Sequence, residues 1–385
     1  MICKKSICTG CSACLNICPN DCIEIREDEY GETYPQINDS CINCNLCKKI
    51  CPNNKEVLMN APRKAFVSWR KDEIKSLSSS SGGIAAVMAE KIIHEGGIVY
   101  GASYNKELDL VCTRISILED LERLKGSKYV QSTIGYIFRE IKSDLQKNYK
   151  VLFISTPCQV SGLYTYLGDT EYDNLLTCDL VCHGVSPNKY FKDEVLYLKD
   201  KYNLKYVHEV KFRGIFDFCF TLWNENNELL LKLSSGIDYY FMPFLKGINL
   251  RESCYSCIYA QDKRVSDITL GDSFQSIKTK LQISRKKSSN VLINTNKGEE
   301  LFDSIKSELF VRKCNTEDII KDSISLQCPF PRHHKSKIFK DNFQRFGYSK
   351  GIRKTIGKGI LICHIERIIG YFKRNFFSRF AKYNK

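Results

Sequence analysis

Residues 8–19 read CTGCSACLNICP and residues 41–52 read CINCNLCKKICP. Both segments space four cysteines as C-x2-C-x2-C-x3-C and follow the last of them with proline. In modules with this spacing, three thiolates of one run bind a 4Fe–4S cluster and the fourth binds the cluster of the other run. The two runs therefore predict one ligand set of Cys8, Cys11, Cys14 and Cys51 and another of Cys41, Cys44, Cys47 and Cys18.

Other chemistries fit this spacing less well. A zinc site usually uses two CxxC pairs rather than two runs of four, and a disulfide framework suits small secreted domains. We therefore assign residues 1–60 to a ferredoxin-like α+β module that carries two 4Fe–4S clusters. Outside the motif, Cys3 is predicted to be a free thiol near the terminus and Cys22 a small buried apolar residue.

The composition is that of a folded, basic, cysteine-rich protein. The 385 residues suffice for about two or three domains, and 43% of them are hydrophobic. The formal net charge is +14, with residues 1–60 slightly acidic and the remainder strongly basic. A basic body suits an acidic redox partner, a phosphorylated cofactor or a membrane surface. Nucleic acid is disfavoured as a partner, because no helix-turn-helix, zinc-finger or RRM signature is present.

The sequence favours a cytoplasmic location. Met1-Ile-Cys-Lys-Lys leads into the cysteine motif without a signal-peptide pattern. No uncharged apolar run approaches the roughly 18 residues that a membrane-spanning helix needs. Thiolate ligands also persist best in a reducing compartment.

Residues 61–345 predict an α/β domain. Strand-like runs at 65–69, 98–103, 111–117, 150–155 and 175–181 alternate with helical patterns at 84–93, 135–147 and 160–167. Such alternation is typical of a largely parallel sheet, whose functional residues gather at the carboxyl ends of the strands. The runs at 207–212, 216–223 and 229–233 indicate an antiparallel section within the same domain.

A Ser/Gly-rich loop, Ser78-Ser-Ser-Ser-Gly-Gly83, precedes the helical pattern at 84–93. Such a loop can cradle a phosphate group at the helix N-terminus. It can equally be a flexible loop that caps a surface helix. Both interpretations are open on local sequence.

A further four cysteines could hold a third 4Fe–4S cluster. Cys158 and Cys182 each follow a predicted strand in a Pro- or Gly-bearing loop, and Cys254-x2-Cys257 supplies two more thiolates. Cys178 lies four residues before Cys182, on the same face of the predicted strand, and competes with it for the fourth position. The remaining cysteines are most simply buried free thiols: Cys112, Cys219, Cys314, Cys328 and Cys363.

The order of the motifs resembles a known family. After the double cysteine motif come Ser80–Gly83, Gly126–Ser132, Thr156-Pro-Cys-Gln159, Val181-Cys-His-Gly184, the CxxC pair and Ser266–Asp272. This series, over roughly residues 1–300, is similar to the coenzyme F420 hydrogenase/dehydrogenase beta-subunit family, which includes ferredoxin-dependent hydroxymethyl-chlorophyll reductases. Two departures, Tyr255 within the CxxC pair and Ser273 after the final Gly-Asp, fall close to the expected site.

The resemblance implies a flavin-binding α/β domain, with FAD favoured over FMN and an iron–sulfur cluster near the flavin. It also implies flavin contacts from the loops that match the family motifs. These are Ser80, Ser81, Gly82, Gly83, Ser127, Lys128, Tyr129, Gln131, Ser132, Thr156, Pro157, Gln159, Asp267, Gly271 and Asp272.

The predicted function is that of an iron–sulfur flavoprotein oxidoreductase. It would pass electrons between a ferredoxin-type carrier, the clusters and FAD, to or from an organic substrate such as a deazaflavin. The alternative is an electron-relay subunit of a larger redox complex, without a substrate site of its own. Lys128 would stabilise negative charge on the flavin. His183 is the general-acid candidate because imidazole titrates near neutrality, although the pattern favours slightly more a ligand-loop histidine that is hydrogen-bonded to backbone.

Residues 346–385 predict a basic amphipathic tail. Apolar residues recur at helical spacing among many lysines and arginines. Such a helix lies on an anionic membrane, or docks on the protein body or a partner subunit. The apolar series is Leu361, Ile365, Ile368, Ile369, Phe372, Phe376 and Phe380.

Overall fold

The computed structural model contains both strands and helices, as the sequence patterns predict. It describes residues 2–216, 218–234, 236–285 and 287–383, with side chains as far as residue 359. The strands are β1 (Ile23–Glu27), β2 (Thr33–Ile37), β3 (Lys64–Arg70), β4 (Ile98–Tyr104), β5 (Leu110–Ile115), β6 (Val151–Ser155), β7 (Leu175–Leu180), β8 (Glu209–Lys211), β9 (Cys219–Trp223), β10 (Leu229–Ser234), β11 (Ile268–Asp272), β12 (Ser289–Ile293) and β13 (Leu309–Cys314).

The helices fall mostly between these strands. They are α1 (Ala13–Ile17), α2 (Leu46–Lys49), α3 (Glu73–Leu77), α4 (Ile84–His94), α5 (Leu121–Leu124), α6 (Ile137–Gln146), α7 (Pro157–Leu167), α8 (Asn188–Lys201), α9 (Phe241–Leu245), α10 (Gln275–Lys280), α11 (Asn296–Ile305), α12 (Thr316–Asp322) and α13 (Lys335–Tyr383).

The two cysteine runs fold alike. Gly10 and Asn43, each just before the second cysteine of its run, have φ of 69° and 56°. Ser12 and Asn45, each just after it, have φ of 62° and 59°. α1 and α2 then begin at matching places, and the antiparallel pair β1–β2 joins the two halves. The sequence repeat is thus a repeat of backbone conformation.

The body is built on a large mixed sheet. In the described residues its order is β13-β3-β12-β11-β7-β6-β4-β5. The neighbours β4, β6, β7 and β11 pair in parallel, whereas the other ladders are antiparallel. The predicted α/β class is confirmed at this level. The carboxyl ends of β6 and β7 meet at one edge, where the Thr156 and Val181 loops begin.

Apolar side chains cover both faces of this sheet. Leu152 on β6 packs in one core with α4 and α11. Its neighbours Val151 and Phe153 pack on the opposite face with α6 and α7. Successive residues of a strand point to opposite faces, so a continuous apolar run such as β6 is required where both faces are covered.

The predicted antiparallel section is a separate three-stranded sheet of order β10-β9-β8. Its central strand begins at Cys219, later than the sequence predicts, because Phe218 has a φ of 52°, which is outside the extended region that a strand requires. The sheet shares an aromatic core with α8, α9 and the first half of α13.

Helix α13 contains a break at Gly347, whose φ and ψ are 70° and −178°. The predicted boundary at residue 345 therefore falls inside an element that begins at Lys335. Up to residue 359 the helix is docked: Tyr348, Ile352 and Ile356 are buried, and Arg353 pairs with the buried Glu194 at 2.6 Å. The side chains of the predicted apolar series from Leu361 to Phe380 lie outside the described residues. In the part of the chain that is described, no helix is long and apolar enough to cross a membrane.

Candidate iron–sulfur and cofactor site

The first predicted cysteine set surrounds a single cavity. Cys8, Cys11, Cys14 and Cys51 line it together, three from the first run and one from the second. Burial raises the pKa of Cys11 to about 12, and the neighbouring Cys8, Cys158 and Cys51 charges add to the rise. Thiolates this close together repel one another, which destabilises the fold, whereas bound iron would offset their negative charge. We name these four residues the middle set.

The second predicted set lines another cavity. Cys18, Cys41, Cys44 and Cys47 surround it, again three residues from one run and one from the other. Its rim is apolar and open: Cys44 is exposed, and Ile42 is 61% exposed. We name these four residues the surface set.

Two cysteines outside the motif lie against these sets. The Cys22 thiol is 3.2 Å from the Cys18 thiol and is buried, as predicted. Hydrogen bonds to Cys51 and then Cys8 raise the pKa of Cys3. The sequence spacing contained no sign that either thiol would border a cluster cavity.

The third predicted set is also brought together. Cys158 lies in the first turn of α7, Cys182 follows β7, and the CxxC pair lies in and just after a 3-10 turn at Glu252–Ser256. Burial raises the pKa of Cys182 to about 12, and the nearby Cys158 and Cys257 add to the rise. The Cys254 thiol has Cys182, Cys257 and Cys158 as its charged neighbours. We name Cys158, Cys182, Cys254 and Cys257 the inner set.

Cys178 does not compete for a place in the inner set. It is fully buried on β7 in the apolar core shared with α4 and α11. Burial raises the pKa of its thiol, and its charged neighbours are Asp179 and Asp267 rather than other cysteines. The position of Cys178 in this core favours Cys182, which lies in the loop after β7, as the fourth member of the inner set.

The middle and inner sets are neighbours. Cys11 packs on α7 at Gly162, one turn after Cys158. A Cβ atom at Gly162 would lie 2.8 Å from Cys11 Cβ and 3.1 Å from its sulfur. Only glycine leaves room for this contact. Among the described residues no three Cys, His, Asp or Glu side chains converge tightly enough for a single metal ion, but a cubane takes its four ligands at separate corners.

The Ser/Gly loop of residues 78–83 lies flat on the large sheet. The Ser81 hydroxyl donates to the Ser288 carbonyl at 2.8 Å, and the Gly82 N–H donates to the Ser289 hydroxyl at 2.9 Å. A Cβ atom at Gly82 would overlap the Ser68 carbonyl oxygen. The Ser80 hydroxyl accepts from the Ser127 N–H at 2.6 Å, which joins the first two predicted cofactor loops.

Two cations that the sequence did not single out approach this loop. Arg213 donates to the Ser80 carbonyl at 2.7 Å and to Asp272 at 2.6 Å. Lys287 donates to the Ser79 carbonyl at 2.8 Å and to the Gly214 carbonyl at 2.6 Å. The hydroxyls of Ser79 and Ser288 are buried there, and neither has a hydrogen-bond partner among the residues that the structure describes. Cations and unsatisfied donors at a Ser/Gly loop suit an anionic ligand such as phosphate.

Several other predicted flavin contacts lie elsewhere. Gln131 joins the middle set, since its amide nitrogen donates to the Thr9 carbonyl at 3.3 Å. Thr156 lies beside the inner set, with its hydroxyl 3.3 Å from the Cys158 sulfur, and Pro157 is the first residue of α7. The Gln159 amide nitrogen donates to the Ser132 carbonyl at 2.9 Å.

Asp267 and Gly271 make contacts that hold the large sheet and its neighbouring loop together. Asp267 is buried and accepts from the N–H and hydroxyl of Thr177, both at 2.8 Å. Gly271 allows close approach of Val181, since a Cβ there would lie 2.7 Å from a Val181 methyl. Asp272, by contrast, reaches the Ser/Gly loop through Arg213.

Lys128 and its neighbour Tyr129 make contacts within the protein. The Lys128 ammonium donates to the carbonyls of Leu124, Lys125 and Gly126 at 3.1, 2.7 and 3.3 Å. Burial lowers the pKa of Lys128 to about 8. Tyr129 stacks on Phe241 at 4.8 Å. The lysine therefore fixes the loop that Ser127 joins to Ser80.

His183 is bonded to the backbone. Its Nε2 lies 3.1 Å from the Phe244 carbonyl, and its ring centroid is 3.9 Å from that of Phe330. Burial lowers its pKa. These contacts match the backbone-bonded interpretation and engage Nε2, so the structure provides no support for a role as general acid through that nitrogen.

The comparisons with known proteins agree with the motif order. Residues 148–318 match the family model for the C terminus of the "Coenzyme F420 hydrogenase/dehydrogenase, beta subunit", and residues 7–55 match "4Fe-4S dicluster domain". The resemblance predicted from the motifs is confirmed. No curated protein matches the chain in sequence. A solved chain from the F420-reducing NiFe hydrogenase complex of Methanosarcina barkeri is similar at 17% identity, covering 78% of this chain and 93% of that chain, with a TM-score of 0.47.

Proposed function

We propose that this iron–sulfur redox protein, which carries the C-terminal domain of a coenzyme F420 hydrogenase/dehydrogenase beta subunit, is an oxidoreductase linking a ferredoxin-type carrier to an organic substrate. The contact of Cys11 with α7, the helix that contains Cys158, is the observation that supports the proposal most directly. We take residues 1–60 as the bis-cluster domain, residues 61–345 as the flavin- and iron–sulfur-binding domain, and residues 346–385 as a tail.

The three cysteine sets would each hold a 4Fe–4S cluster. Bound clusters supply one-electron transfer, and a bound flavin exchanges one or two electrons. The surface set has the open apolar rim around Ile42, the middle set is largely buried, and the inner set lies at the carboxyl ends of β6 and β7. This order supports docking of a redox carrier, or of a partner subunit, at the surface set.

The Ser/Gly loop is the proposed site for the flavin phosphates. Arg213 and Lys287 would supply positive charge, and Ser79 and Ser288 would supply hydroxyl donors. FAD is the flavin that the family resemblance favours, although the single phosphate of FMN would fit the same groups. The proposed substrate is a deazaflavin or another organic hydride acceptor.

The alternative function is an electron-relay subunit without a substrate site. The exposure of Cys44 and Ile42 at the surface set favours this alternative, since a relay needs an accessible cluster rather than a substrate cavity. Iron, sulfide and flavin content of the anaerobically reconstituted chain distinguishes the two functions. About twelve irons and one flavin per chain are expected for the oxidoreductase. About eight irons and no flavin would leave the relay function.

Removing the two unsatisfied hydroxyls tests the flavin site. Because a buried hydroxyl without a partner contributes nothing to folding, Ser79→Ala and Ser288→Ala should leave the melting temperature unchanged or slightly higher. Each should nevertheless weaken flavin binding by roughly fivefold, the worth of a hydrogen bond of about 1 kcal/mol. Ser304→Ala, on α11, serves as the control. Flavin titration followed by fluorescence gives the affinity, and unchanged affinity in both serine variants would place the flavin elsewhere.

The tail, residues 346–385, is the candidate segment for contact with a membrane or a partner subunit. Because residues up to 359 are docked on α8, membrane contact would have to come from residues 360–385. A chain ending at residue 359 should then lose co-sedimentation with anionic vesicles. Equal sedimentation of the full and shortened chains would rule out the membrane interpretation and favour a partner subunit.

A further inference from the structure

Arg251 is buried between the middle and inner sets. It is 0% exposed and lies three residues before Cys254, whose N–H donates to the Arg251 carbonyl at 3.0 Å. Its Nε donates to the Cys8 carbonyl at 3.1 Å, and its two terminal nitrogens donate to Gln131 at 3.0 Å and to the Thr33 carbonyl at 2.8 Å. The side chain thus ties its own loop, which leads into the CxxC pair of the inner set, to the Cys8 loop of the middle set.

The charge of Arg251 has no carboxylate beside it. Within 4.0 Å no Asp or Glu of the described residues forms an ion pair with it, and the group above its plane is the Tyr34 ring at 4.6 Å. The carboxylate of that region, Glu32, is bound by Lys340 at 3.1 Å and by the Tyr34 hydroxyl at 2.7 Å. A buried charge without a counter-charge is costly, so the structure requires another source of negative charge nearby.

A 4Fe–4S cluster bound by the neighbouring middle set would supply that charge. Gly10, between Cys8 and Cys11, approaches so closely that a Cβ atom there would lie 3.5 Å from the guanidinium carbon. The guanidinium therefore lies against the Cys8–Cys11 loop of the middle set, while the Arg251 backbone leads into the CxxC pair of the inner set.

A second arginine, Arg139, allows the charge environment of Arg251 to be compared. Arg139 on α6 donates to the Cys18 carbonyl at 2.9 Å and so also holds a cluster-ligand loop. Its charge is paired with Asp21 at 2.6 Å, and its side chain is 35% exposed. Water and a carboxylate screen such a charge, whereas the Arg251 charge is unscreened. The two residues share a structural role but differ in electrostatic effect.

We propose that Arg251 is a positioning residue that raises the reduction potential of the middle-set cluster while fixing the middle-set loop against its own loop, which leads into the CxxC pair of the inner set. The inference rests on the proposed function, since it requires a cluster in the middle set. A cubane with four thiolate ligands is anionic, and reduction adds one electron without breaking or forming a bond. A fixed positive charge in a buried environment stabilises the reduced form and raises the potential.

Redox titration of the anaerobically reconstituted full chain, followed by electron paramagnetic resonance with dithionite as reductant, tests this role. Arg251→Gln should lower the potential of the middle-set cluster, and Arg251→Lys should stay near the parent value. Gln131→Glu is the sharper variant, because it keeps the guanidinium and places a carboxylate against it. It should lower the same potential in chains that retain the parent iron content. Arg139→Gln, the matched control, should leave that potential unchanged.

The outcomes separate the two proposals. Unchanged potentials in an iron-replete Gln131→Glu chain would overturn the role of Arg251, even if Arg251→Gln failed to fold. A parent chain with about eight irons would overturn the inner cluster of the proposed function. The effect of Arg251 on the middle set would then still be measured directly, since the middle set lies within the matched 4Fe–4S dicluster domain.

Discussion

Replacing Cys158 and Cys182 together with alanine is expected to remove about four irons per chain and to leave about eight. The expected loss is large because a cubane deprived of two thiolates has too few ligands to persist. The surface and middle sets should keep their iron, since their eight cysteines all come from residues 8–51. Electron paramagnetic resonance of the reduced variant should lack one of the cluster signals of the parent chain.

The control for this experiment is Cys178→Ala. Cys178 is fully buried and close in sequence to Cys182, but it lies in the apolar core rather than in the inner set. The Cys178→Ala chain should retain the full iron content, although its melting temperature should fall modestly. If the double variant retained the parent iron content, or if Cys178→Ala lost iron equally, the inner set would not be a cluster site.

Gly162→Ala is expected to disturb the junction between the middle and inner sets. The new Cβ would overlap Cys11, whose Cβ would be 2.8 Å away, so α7 and the Cys11 loop must move apart. Overpacking of this kind costs about 1–3 kcal/mol. The expected result is a lower melting temperature together with slower transfer of electrons from the N-terminal clusters to an acceptor bound by the body.

Gly357→Ala is the matched control for this prediction. Gly357 is also helical, and the closest atom to a Cβ there is the Tyr239 hydroxyl at 4.0 Å. Alanine at that position should leave stability unchanged or raise it slightly, since glycine is a poor helix former. Stopped-flow reduction at equal iron content measures the transfer step. Equal rates in the parent and Gly162→Ala chains would show that this contact is not part of the electron path.

The surface and middle sets could be predicted because their ligands are close in sequence. The spacing of residues 8–51 specifies which thiolates can reach the same cavity, and the structure brings the same sets together. The inner set required tertiary structure. Cys178 and Cys182 both fit a strand pattern, and only the end of β7 at Leu180 decides between them.

The cations of the Ser/Gly loop could not be predicted for a different reason. Arg213 follows the short strand β8, and Lys287 precedes β12, so each reaches residues 79–80 from far along the chain. No local pattern distinguishes them from the many other basic residues. Similarly, the motif matches grouped Gln131 and Thr156 with the flavin contacts, whereas the structure places them beside cysteine sets.

The open rim of the surface set determines how the protein would respond to air. Oxidation of cysteine follows exposure, and Cys44 is exposed whereas Cys8, Cys11 and Cys51 are buried. Oxygen would therefore reach the surface set first and the better covered sets later. Brief aeration should then remove about four irons per chain, from the surface set, before the other sets lose iron. The cluster that receives electrons from the carrier would thus be oxidised first and would protect the two clusters behind it.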